Sequence, residues 1–95
     1  MFNDTYRVPN MSITILRLPL VKAATGYSRS TIYLRISQGL WTKQVSLGPR
    51  SVGWPSNEID ALNAARISGR TDTQIRELVE LLHTKRKDVM TVWGL

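Results

Sequence analysis

Apolar residues along this chain follow two different spacings, and the changes between them mark out its elements. From Pro19 to Ser37 the spacing is helical. Leu20, Val21 and Ala24 make the inner side of a first helix over Pro19–Thr25, and Pro19 stands at its start, where a missing N–H costs nothing. Gly26 supplies the positive φ that stops this helix. Ser28 accepts a backbone N–H from Ser30 or Thr31 and caps a second helix over 28–37. Ile32 and Ile36 share one face of it at i, i+4. Gly39 ends it.

Between Trp41 and Trp54 the period becomes two. Lys43, Val45 and Leu47 alternate with Thr42, Gln44 and Ser46, and Val52 and Trp54 alternate with Ser51 and Gly53. Gly48-Pro49 interrupts the run, so the pattern predicts two short strands in a hairpin. Helical spacing then returns. Pro55-Ser56 opens a third helix with Ser56 as its cap, and Glu58 and Asp60 suit the positive end of its dipole. Ile59, Leu62 and Ala65 form its apolar side, and Ser68-Gly69 ends it. Thr71 and Gln74 read as a capping box for a fourth helix reaching about Asp88. Its stripe of Ile75, Leu78, Val79 and Leu82 follows the i, i+3, i+4, i+7 rule. Lys85-Arg86-Lys87 close it, where cations suit the dipole.

The ends are less regular. Met1–Asn10 is polar, and residues 1–11 are expected to form a flexible N-terminal segment. Ser12–Leu18, with Ile13, Thr14 and Ile15, reads as a brief extended lead-in. The apolar tail Val89, Met90, Val92, Trp93 and Leu95 must pack somewhere or leave a sticky end.

Two short helices around a Gly turn, followed by a hairpin, have the order of a winged helix-turn-helix. The expected fold is therefore mainly α with a small β-hairpin: a winged helix-turn-helix over 12–69, then an additional C-terminal helix and tail over 70–95. The fourth-helix stripe of Ile75, Leu78, Val79 and Leu82 is a candidate self-association face, and the same stripe equally suits folding back over the chain's own core.

Charge sharpens this reading. The chain has 95 residues and a net charge of +6. No acidic residue occurs between Asp4 and Glu58, an interval holding Arg7, Arg17, Lys22, Arg29, Arg35, Lys43 and Arg50. From Glu58 onward acids and bases balance. A unipolar positive half attracts polyanions and speeds encounter with them. The absence of Cys excludes disulfides and thiol chemistry. No apolar run approaches the roughly 18 residues of a membrane span, and Met1–Asn10 lacks the order of a signal peptide. A soluble cytoplasmic protein without a membrane association is expected. His83 has no Cys or second His near it, and no phosphate-binding Gly loop, carboxylate pair or Ser/His/Asp grouping occurs. Neither metal, cofactor nor enzymatic chemistry is expected.

Recognition helices enter the major groove by their N-terminal turn. The candidate DNA contacts are therefore Ser28, Arg29, Ser30, Thr31 and Tyr33, with Arg29 able to fork onto guanine O6 and N7. In the wing, Lys43, Gln44, Arg50 and Ser51 are candidates for phosphate or minor-groove contact. Lys22 and Arg35 are weaker candidates for the DNA backbone. Trp41 and Trp54 read as core rings rather than stacking platforms. The competing class is an RNA-binding or protein-interaction module without sequence-specific DNA binding.

Three runs carry a resemblance: Ile15-Leu16-Arg17-Leu18-Pro19, Thr25-Gly26-Tyr27-Ser28-Arg29-Ser30-Thr31-Ile32-Tyr33 and Leu47-Gly48-Pro49-Arg50-Ser51-Val52-Gly53-Trp54. At their mutual spacing, over roughly residues 13–66, they resemble the AlpA family of prophage and genomic-island regulators, which are related to MerR-like winged helices. Trp41-Thr42 stands where that family often has Phe-Pro. Leu34-Arg35 reverses its usual order of a basic residue and then Leu, which makes Arg35 a weaker contact than Arg29. The resemblance implies a bacterial, nucleoid-associated protein that binds double-stranded DNA at promoter or attachment-site repeats. It implies control of integrase expression, an excisionase role as a recombination directionality factor, or both. A tyrosine integrase, and further copies assembled cooperatively on DNA, are the implied protein partners.

Overall fold

Pro19 lies in the first turn of helix α1 (Leu18–Thr25), which Arg17 enters in an extended conformation. The computed structural model describes residues 13–89. Val21 and Thr25 form the buried side of α1, whereas Leu20 and Ala24 are exposed. The inner face is thus rotated from the predicted Leu20, Val21 and Ala24. Thr25 tolerates burial because its hydroxyl donates to the Val21 carbonyl (2.7 Å) and accepts from the Tyr27 N–H (3.1 Å), leaving no unpaired polar atom. Gly26 then turns the chain with φ 76°, a value that a side-chain-bearing residue rarely adopts.

Helix α2 (Arg29–Ser37) follows, capped by the Ser28 side chain, which accepts from Thr31 N–H. Beyond it the predicted strand starts late. Strand β2 is Val45–Gly48 and pairs antiparallel with β3 (Ser51–Pro55). Residues 41–44 are not strand, and the backbone at 42 and 43 bonds elsewhere: Thr42 C=O to the Trp54 indole (2.9 Å), and Lys43 to His83 and Arg86 at the end of the last helix. The lead-in forms β1 (Ile15–Leu16) on the other side of β3, giving a three-stranded antiparallel sheet of order β1-β3-β2. Gly53 permits this close approach. A Cβ there would stand 2.5 Å from Ile15 Cγ2 and 3.1 Å from Leu47 Cδ1.

Helix α3 (Ser56–Ile67) is capped by Pro55 with no side-chain bond. Ser56 is not the predicted cap. Its hydroxyl accepts Thr14 N–H, and its own N–H donates to Thr14 C=O, stapling the lead-in to the start of α3. Helix α4 (Asp72–Lys85) opens with the Thr71–Gln74 capping box and ends before Asp88.

One core joins the four helices and β3: Val21, Ile32, Leu40, Trp41, Trp54, Ile59, Leu62, Ala65, Ile75, Val79 and Leu82, with Leu16 of β1 packed against it. Ile75, Val79 and Leu82 are buried in it, and Leu78 packs against it. The stripe anticipated as a self-association face is therefore turned inward, and it is the folding-back alternative that the structure shows. Each buried aliphatic side chain stabilises by roughly 1.5–3 kcal/mol, so burying three of them outweighs presenting them to water. The apolar tail beyond Val89 and the N-terminal segment lie outside the described residues. The architecture is a mainly helical winged helix-turn-helix with a C-terminal helix packed onto it.

Candidate nucleic-acid interface

The predicted contacts on α2 divide by what already occupies them. The Ser28 hydroxyl accepts from Thr31 N–H (3.2 Å) and donates to Thr31 Oγ1 (3.0 Å), so both hydroxyls serve the cap. Ser30 Oγ lies 3.2 Å from Ser28 Oγ and is exposed. Arg29 is exposed, with its guanidinium 5.3 Å from the Tyr33 ring centroid. At an exposed site such a contact contributes only about 0.5–1 kcal/mol, which a phosphate or guanine edge can outcompete. Tyr33 is half-buried and meets Trp54 edge-on, with centroids 6.3 Å apart. Trp54 is fully buried, so it fixes the ring on which Arg29 rests.

Which way α2 faces follows from Ile32 and Ile36, which are turned to the core. At about 100° per residue, Ser30, Leu34 and Ser37 fall on the opposite, outward side. Leu34 is 56% exposed. Arg35 is not outward. Its guanidinium lies 4.9 Å from the Tyr27 ring centroid, beside the turn.

Tyr27 gathers a second cation that the sequence reading missed. Arg66, from α3, stands 4.4 Å from the same ring. It donates to the Thr25 carbonyl (2.9 Å), while Asn63 donates to the Ala24 carbonyl (2.9 Å). The last carbonyls of α1, which have no partner within the helix, are thus satisfied from α3. The angle of the helix-turn-helix is held from there. Arg66 belongs to the charge-balanced half of the chain, and no local motif links it to Thr25, 41 residues away. Among the described residues, Arg29, Arg35 and Arg66 have no acidic side chain within salt-bridge distance.

The wing candidates Lys43, Gln44 and Arg50 are exposed, and Ser51 is half-buried. Lys43 and Gln44 precede β2 rather than lying in it. Arg50 sits at the tip in the left-handed region, φ 59°. Helix α4 fixes the wing root by gripping the Lys43 backbone at both ends. Its N–H donates to His83 Nε2 (3.0 Å), and its C=O accepts from Arg86 Nη2 (2.6 Å). Burial, and then the nearby positive charge of Arg86, lower the His83 pKa and favour the neutral ring that accepts this bond. Arg76 of α4 donates to the Gln38 carbonyl at the end of α2 (2.9 Å). One helix therefore braces both α2 and the hairpin. Lys22 is exposed on α1.

Glu58 stands in the first turn of α3, at the expected end of the helix, and has a further partner. It is buried and accepts both Nε and Nη2 of Arg86, at 2.7 and 2.8 Å. Among the described residues no cluster of His, Asp or Glu could hold a metal ion, and no helix is long and apolar enough to cross a membrane.

A family model described as Prophage CP4-57 regulatory protein (AlpA) matches residues 14–67, which take in the sheet, the helix-turn-helix and α3. The chain is 49% identical over 55 residues to the uncharacterised protein ORF88 of Enterobacteria phage P4. That match covers 58% of this chain and 62% of ORF88, so the chain spans less than two thirds of its relative's length. No solved structure matches the chain.

Proposed function

The chain belongs to the AlpA family of prophage regulatory proteins, and from that premise we propose that it binds duplex DNA sequence-specifically as a regulator of a mobile element. The observation that carries this reading is the outward side of α2. It presents Ser30 and Leu34, with the exposed Arg29 at the N-terminal turn; no acidic residue occurs between Asp4 and Glu58, and the end of α1 that leads into the turn before α2 is tied to α3 by Arg66 and Asn63. In this reading the N-terminal turn of α2 enters the major groove. Lys43, Gln44, Arg50 and Ser51 of the wing meet the neighbouring backbone or minor groove, and Lys22 and Arg35 add weaker backbone contacts. The protein performs no bond chemistry. It places cations against phosphate and lets the α2 side chains select the bases.

Regulation of integrase expression, excision at attachment sites as a recombination directionality factor, or both, are the roles this binding would serve. A tyrosine integrase and further copies of the chain are its proposed protein partners. A single domain of this size makes a small interface with DNA, so specific occupancy would draw on several copies at repeated sites. An excision role would also require bending, which costs about 1–6 kcal/mol and is offset by added contacts.

Gel shifts with duplex DNA from around the gene, run against a structured RNA and across a salt series, test the reading. Saturable, salt-sensitive binding to one duplex over others supports it. Equal binding to all duplexes, or preference for the RNA, overturns it in favour of a general polyanion or RNA module. Footprints at a promoter or at an attachment site then distinguish transcriptional control from excision.

A further inference from the structure

We propose that Leu34 reads the C5-methyl group of a thymine through the major groove and is a specificity-determining residue of this protein. This rests on the DNA-binding reading above. Leu34 stands on the outward side of α2, opposite Ile32 and Ile36, and is 56% exposed although its helix has a core to pack against. Its neighbours on that helix are largely engaged with the protein itself. Ser28 and Thr31 close the cap. Ser37 donates its hydroxyl to the Leu34 carbonyl at 2.6 Å. The Arg29 and Arg35 guanidiniums rest over Tyr33 and Tyr27. At the centre of the outward side the exposed Ser30 hydroxyl meets Ser28 Oγ, which leaves the isobutyl group of Leu34 facing outward.

An isolated surface leucine is ordinary, but this one lies where a groove floor would meet the helix. Its surroundings in sequence are cationic or neutral, with no acid in the interval from Asp4 to Glu58, so they suit an anionic, phosphate-lined groove and repel a basic protein surface. Of the groups that base pairs show in the major groove, the thymine methyl is the apolar one. An apolar side chain directed there gains from that methyl and from nothing else on the base edges. Leu34 therefore complements thymine chemically, as Arg29 complements guanine.

The probe is a duplex enriched by the wild-type chain from a random pool. Each thymine is then replaced in turn by deoxyuridine, which removes only the methyl. At one position the wild-type chain should lose about 4-fold in affinity, the equivalent of one buried methyl group. Leu34→Ala should bind the thymine duplex more weakly and be indifferent to the methyl at that position, while keeping its preferences elsewhere. Leu34→Gln, which keeps a long side chain and high helix propensity but ends in a polar amide, should be equally blind to that methyl. Unchanged thermal melts of both variants would assign these effects to the interface. If the enriched duplex is bound but no methyl couples to position 34, Leu34 is not a base reader and DNA binding stands. If no duplex is enriched, the DNA reading fails and this inference with it.

Discussion

Arg86 holds the carboxylate of Glu58 with two hydrogen bonds of 2.7 and 2.8 Å, joining the end of α4 to the first turn of α3. The partners differ in exposure. Glu58's side chain is 2% accessible and Arg86's is 25%. Removing either partner strands the other, but Arg86 can recover water and Glu58 cannot. Arg86→Ala should therefore destabilise by roughly 3 kcal/mol or more, and Glu58→Gln by less. Urea denaturation of both variants measures this, and equal losses would contradict the asymmetry.

His83 makes stability depend on pH. Its folded-state pKa lies below the unfolded value of roughly 6.5, because burial and then Arg86 and Lys43 outweigh the opposing pull of Glu58 and Glu80. In the window between the two pKa values the unfolded chain binds more protons. The contribution is thus fully present above the unfolded pKa and is lost as pH falls through the folded one. Protonation also removes the acceptor for Lys43 N–H. The melting temperature should fall between pH 7.5 and 5.5, and fall less in His83→Gln, whose amide oxygen retains an acceptor. The same slope in both proteins would assign the effect to other groups.

Arg50 should show opposite signs for stability and binding. A non-glycine residue at φ 59° is strained by about 1–2 kcal/mol, and the wing tip keeps an arginine there rather than the glycine such a turn favours. Arg50→Gly should raise the melting temperature and weaken DNA binding. A variant that is more stable and binds as well as wild type would remove Arg50 from the interface.

Arg29 and Lys43 should fail in different ways. If Arg29 forks onto a guanine, Arg29→Ala should lose roughly 1–3 kcal/mol and relax preference at one base position. Lys43→Ala, lacking only an exposed cation, should weaken binding to all duplexes alike and reduce the salt slope by about one. Competition binding with single-base variants distinguishes the two, and a uniform loss for Arg29→Ala would make it a phosphate contact.

Arg66 should behave like Lys43 if the Tyr27 cluster meets the backbone. Arg66→Lys keeps the charge but loses the planar stack and the fork geometry. A loss of affinity in Arg66→Ala that Arg66→Lys only partly restores would mark a cation that also sets the turn. Full retention of binding by Arg66→Ala would confine its role to the fold.

Much of this was legible locally. The Gly26 turn, the Ser28 cap, the Thr71–Gln74 box and the burial of Trp41 and Trp54 all match the sequence reading. Where that reading failed, a distant partner had replaced a local one. Ser56 serves Thr14 instead of capping α3, and the backbone at 42 and 43 bonds to Trp54 and the end of α4 instead of extending a strand. The charge balance after Glu58 hid two arginines with separate tasks, Arg66 on the turn and Arg86 on a buried carboxylate.

By itself, then, the sequence determined where helices start and stop, where the chain turns, and which half carries the positive charge. Caps, glycine conformations and periodicity act within about four residues, so the chain states them directly. Only the tertiary structure decided that the stripe of α4 faces its own core, that Arg35 lies beside the turn while Leu34 points outward, and that α4 braces the wing. Those outcomes depend on how helices rotate against a shared core. Burial and hydrogen bonding between residues some 40 positions apart set that rotation, and no local spacing records it.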